Sequence, residues 1–129
     1  MSLASQISAL ASRVATEIKA LVRPEHPGLA RAWVSFGYIG GTIQISAAYN
    51  VSGVTRLSTG RYRISFATPL ANAQYCWVAF SRTINDSNVY RALVRPGSDA
   101  KTAAYVEVAH ARDNQTLADT TEMNVVVYR

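Results

Sequence analysis

"YNVSGVTRLSTGRYRISF", Tyr49 to Phe66, reads as two strands joined across a tight turn. In its second half Tyr62, Ile64 and Phe66 point one way and Arg61, Arg63 and Ser65 the other. This period of two belongs to a strand with one buried and one wet face. The preceding "NVSGVTRL" supplies the partner strand, and "STG" is a short glycine-containing hairpin loop.

The pattern extends in both directions. Upstream, "GTIQISAAY" alternates too, which places Ile43, Ile45, Ala47 and Tyr49 on one side. Downstream, "AQYCWVAFSR" differs: Tyr75, Trp77 and Ala79 alternate with Cys76, Val78 and Phe80, so both faces are apolar. Such a strand is expected to be covered twice, by the opposing sheet and by a loop or a neighbouring subunit. "NVYRALVRP", "TAAYVEVAHA" and "TEMNVVVYR" follow as further strands, the last running to Arg129. Short strands divided by turn signals, with no second helix, predict a mainly β chain: an antiparallel β-sandwich over residues 30–129.

Residues 1–23 follow another period. Leu3, Ile7, Leu10, Val14, Ile18 and Leu21 step by three and four and fall on one face of an α-helix, with alanines between them. Ser2 is placed to cap its start. "RPEHPG" ends it, because Pro24 disfavours a helical Arg23 and Pro27 with Gly28 completes the break. Residues 24–29 are thus a Pro-rich hinge. A helix of about 20 residues is roughly 30 Å long and marginal alone in water. Its stripe is expected to be buried against copies of the chain or folded back on the sandwich.

The stripe also fits a short coiled coil, with Ile7, Val14 and Leu21 at a and Leu3 and Leu10 at d. Glu17 takes the next d position beside Ile18, so the register slips late. The candidate oligomer interface is therefore Leu3, Ile7, Leu10, Val14, Ile18 and Leu21, together with Trp77 from the doubly apolar strand.

Composition bounds the chemistry. At 129 residues, with 49% hydrophobic and 16% charged residues, the chain is a folded single domain with an appendage. The lone Cys76 cannot form an internal disulfide and reads as a small core residue. The start lacks the basic region and unbroken apolar core of a secretory signal, so the chain is expected to be made in a cytoplasm and not secreted. No stretch approaches the roughly 20 apolar residues of a membrane helix, so no membrane insertion is expected. The sequons at Asn50, Asn85 and Asn114 consequently carry little meaning.

The net charge of +5 admits an acidic partner, but Arg56, Arg61, Arg63, Arg82, Arg91, Arg95 and Arg112 are scattered, so no nucleic-acid binding is expected. His26 lies in the hinge and His110 near a strand end. Glu107 and His110, three apart in a strand, point to opposite faces, which disfavours a metal site with Asp113. The polar loops lack the order of a calcium site, and the glycines of "YIGGT" precede no helix. Neither a catalytic set nor a cofactor site is expected.

"ARAWVSF" (Ala30 to Phe36), "YNVS" (Tyr49 to Ser52), "GRYRISF" (Gly60 to Phe66) and "ANAQY" (Ala71 to Tyr75) occur in an order that resembles the C-terminal β domain of bacteriophage tail-fibre and spike proteins. The resemblance covers the middle half of the chain and fades beyond Arg82. It implies a homotrimeric virion appendage. Its β knob would be exposed to a host-surface glycan or outer-membrane receptor, and its helix would attach it to other virion proteins. Exposed aromatics such as Tyr90 or Tyr105 would then stack on sugars. Family members end much longer fibres, whereas this chain begins about thirty residues before the motif; a small standalone fibre on a tail, collar or head is expected. A purely structural role without a receptor is the alternative. Coiled-coil rules add a contrary signal, since β-branched a positions with Leu at d favour two strands where the resemblance implies three.

Overall fold

The computed structural model describes residues 1–23, 26–94, 97 and 99–129. Pro24 and Glu25 of the expected hinge, and Arg95, lie outside the described residues. Helix α1 spans Leu3–Leu21, and Ser2 caps it by accepting a hydrogen bond from the Ser5 N–H at 3.2 Å. Eight strands follow: β1 (Ala30–Ile39), β2 (Thr42–Tyr49), β3 (Val51–Ser58), β4 (Arg61–Phe66), β5 (Cys76–Arg82), β6 (Tyr90–Val94), β7 (Tyr105–Arg112) and β8 (Glu122–Tyr128). They form two four-stranded antiparallel sheets, ordered β2-β1-β8-β5 and β3-β4-β7-β6, which face each other as a sandwich.

The core lies between the sheets. Ala32, Val34 and Phe36 of β1 and Met123, Val125 and Val127 of β8 meet Tyr62, Ile64 and Phe66 of β4 and Val106 and Val108 of β7. Phe36 and Tyr62 pack edge to face at 5.3 Å, and Phe66 and Tyr75 do so at 5.8 Å. Each such side chain contributes about 1.5–3 kcal/mol on burial. The alternation expected for "GRYRISF" is thus the alternation observed.

The hairpin between β3 and β4 turns on Gly60, whose φ of +66° suits glycine. The crossing from one sheet to the other, between β2 and β3, is a single residue, Asn50, at φ 51°.

Two expectations need correction. Ile43, Ile45, Ala47 and Tyr49 do not share a face. The β1–β2 register shifts between Ser35 and Phe36, where Ser35 pairs with Ala47 but Phe36 with Ile45. Ser46 is the surplus residue, a bulge that reverses the facing of whatever follows. Ile43 packs on the core opposite Tyr38, while Ala47 and Tyr49 stand opposite Ser35 and Trp33 on the outer side. The second concerns Cys76, which is exposed and not a core residue, because it opens β5 on the outward side.

The pairings fix two poles. Ala30 pairs with Tyr128, Cys76 with Tyr128 and Val51 with Phe66, so the chain enters from α1 at that hinge pole. At the opposite pole lie the β1–β2 and β3–β4 turns and the β5–β6 and β7–β8 loops.

Candidate functional site

Asp119, in the β7–β8 loop, accepts from Arg56 Nε at 2.9 Å and Nη2 at 2.8 Å, from the Gly60 N–H at 3.0 Å and from the Tyr62 hydroxyl at 2.8 Å. These donors, Arg56 foremost, hold its carboxyl down to about 2. The Tyr62 oxygen in turn accepts from the Thr120 N–H at 3.1 Å. These contacts join Asp119 to Arg56 of β3, to Gly60 in the turn and to Tyr62 of β4, with the guanidinium over the Tyr38 ring, so the cluster fastens the long loop to the β3–β4 hairpin.

His110 is fully buried on the inward side of β7. Its Nδ1 hydrogen-bonds with Ser81 Oγ at 2.7 Å and its Nε2 with Thr83 Oγ1 at 3.2 Å, and its ring stacks on Tyr90 at 4.5 Å. Burial pushes its pKa down to about 4. Among the described residues both ring nitrogens are hydrogen-bonded to hydroxyls and not to a carboxylate, and the fully buried ring leaves no space for a substrate. Glu107 leaves β7 on the other face, where Arg63 meets it. Among the described residues no three of His, Cys, Asp and Glu converge as a metal-ligand set, and no helix is long and apolar enough to cross a membrane.

Four of the scattered arginines, Arg56, Arg63, Arg82 and Arg112, face carboxylates of Asp119, Glu107, Glu122 and Asp86, which diffuses the positive charge. Neither tyrosine considered for sugar stacking is a free platform. Tyr90 is spent on His110 and Asp86, and Arg63 covers the Tyr105 ring at 4.2 Å. A groove of about 1010 Å³ at the hinge pole is lined by Leu29, Arg31, Tyr49, Asn50, Pro69 and Arg129 among others, with no imidazole or thiol.

What remains is apolar surface. Every stripe residue of α1 is exposed, from 48% at Val14 to 72% at Leu3, and the helix buries nothing. On the outer face of the β1-containing sheet, pairing places Tyr49, Trp33, Val126 and Val78 in one row across all four strands. The next row is Ala47, Ser35, Asn124 and Phe80, with Phe80 73% exposed. Neither row contains a charged residue. The other sheet presents Arg61, Arg63, Arg91 and Glu107 on its outer face instead.

The structure therefore separates the predicted interface residues. The six of α1 lie on one open stripe, whereas Trp77 turns inward and packs on the core. The outward residues of β5 are Cys76, Val78 and Phe80, and all three are exposed in the single chain. The double apolarity of "AQYCWVAFSR" signalled this face. Trp33 and Tyr49 carried no such signal, because the bulge at Ser46 is what brings them together.

Compared with protein-family models, curated proteins and solved structures, the chain matches none.

Proposed function

We propose that this chain is a self-assembling fibre module of a bacteriophage virion: a homotrimer joined through α1 as a short coiled coil, with its β knob held out for contact with a host-surface glycan or outer-membrane receptor. The observation that carries the reading is α1 itself. A 19-residue helix whose six large apolar residues are all open to water is not self-sufficient, and parallel copies of it bury one another's stripes. The order of "ARAWVSF", "YNVS" and "GRYRISF", which resembles fibre and spike domains, supports the virion setting and three copies. The poles agree with it: the helix enters at one, and the loop-rich pole at the other end is free for contact. The role is mechanical and adhesive, without a reaction.

Light scattering on the purified chain tests the assembly, with three times the chain mass expected and a monomer overturning it. Competition with phage adsorption to host cells tests the adhesive half. Protein that assembles but neither adheres nor competes leaves a structural virion component, anchored through α1.

A further inference from the structure

We infer that the two uncharged rows on the outer face of the β1-containing sheet form a second self-association surface, its occupant the same rows of another copy of this chain. The inference rests on the assembly proposed above and adds to it where the knobs touch.

Three observations favour a copy over a foreign partner. The first is charge. The chain carries +5 overall, so two copies repel except where they meet without charge. The Tyr49–Trp33–Val126–Val78 row and the Ala47–Ser35–Asn124–Phe80 row are uncharged. The first charges toward the loop pole, Arg82 and Glu122, neutralise each other at 2.7 Å. The opposing sheet, with arginines on its outer face, could not do the same.

The second is area. With Phe80, Tyr49, Val78, Trp33 and Tyr128 exposed to the extents of 73%, 57%, 44%, 37% and 36%, the face offers roughly 600 Å². The stripe of α1 offers a similar area, again roughly 600 Å². A stable association takes about 800 Å² from each partner, which neither surface reaches alone and the two reach together.

The third is placement. Trp33 lies three residues into β1, at the pole where the chain arrives from α1, so the face continues from the helix end of the molecule. Parallel helices relate copies by rotation about their common axis, and rotation turns the same face of every knob toward that axis.

Cys76 reports on the face without alteration of the chain, since it is exposed on β5 and pairs with Tyr128 at the patch margin. The experiment measures maleimide labelling of Cys76 in the full chain against the same chain in urea, alongside solution mass. Labelling at least about tenfold slower in a multimer is the expected result. Phe80→Asp, an outward substitution that leaves the core intact, should restore fast labelling with strand content unchanged. A multimer whose Cys76 labels at the unfolded rate overturns the inference and leaves helix-driven assembly standing. A monomer overturns both, and a monomer with slow labelling identifies its own α1 as the cover.

Discussion

Asn50 and Thr68 clasp each other across the hinge pole: the Asn50 carboxamide donates to the Thr68 carbonyl at 3.1 Å and accepts from the Thr68 N–H at 2.7 Å. The same amide nitrogen also reaches the Arg31 carbonyl at 3.1 Å, so one side chain ties together β1, the crossing between sheets and the segment after β4. The residue sits at φ 51°, a conformation that asparagine tolerates better than most.

Asn50→Ala should therefore cost about 3 kcal/mol, combining lost hydrogen bonds with left-handed backbone strain. Asn50→Gly relieves the strain alone and should recover about 1 kcal/mol of that loss. Urea denaturation of the two variants beside the native chain checks the order. Equal midpoints would mean that the backbone angle is irrelevant.

The Asp119 cluster makes stability depend on acid. Its carboxyl titrates near 2 in the fold, below its ordinary 3.8, so the unfolded chain takes up the proton first. The stabilisation is complete above about pH 4 and is lost as pH falls toward 2. Asp119→Asn should remove about 2 kcal/mol at neutral pH and flatten the denaturation profile below pH 4. Chemical denaturation across that range measures both.

His110 acts in a neighbouring window. Buried and neutral, it resists protonation until about pH 4, whereas the unfolded chain protonates it near 6.5. Between those values the unfolded state binds more protons, so stability falls as pH falls, by about 3 kcal/mol in all. His110→Gln should be less stable at pH 7 yet lose the slope between pH 6.5 and 4. Thermal midpoints at half-unit steps settle it, and an unchanged slope would assign it elsewhere.

Gly37 in β1 is a matter of space. A Cβ there would stand 2.1 Å from the Thr121 carbonyl oxygen, a backbone atom that cannot swing away. Next to it the Tyr38 N–H donates to the Thr120 carbonyl at 2.8 Å, so the close approach is part of how the β7–β8 loop is seated. Gly37→Ala should cost about 3 kcal/mol or more. Gly53→Ala, with open space around the site, should change stability far less.

Much of this was legible from residue order, and the failures are instructive. The strand period around Tyr62 and the helical period from Leu3 to Leu21 are local properties, and both elements form where those periods lie. The facing of Ala47 and Tyr49 is not local. It depends on a bulge that alternation alone cannot reveal, since the apolar residues stay in step while the pairing slips. Cys76 was misplaced because an apolar neighbourhood looks the same in a core as on an uncovered edge strand. His110 offered no sequence signal for its two hydroxyl partners, which arrive from β5 and the loop after it.

Ser46 thus sets facing as much as spacing. One surplus serine turns a ring that unbroken alternation from Ile43 would have put inside into a tile of the exterior, and deleting that single residue would remove the bulge while leaving Ala47 and Tyr49 outside. A greasy mosaic four strands wide is in this sense written by a polar residue that belongs to neither of its rows.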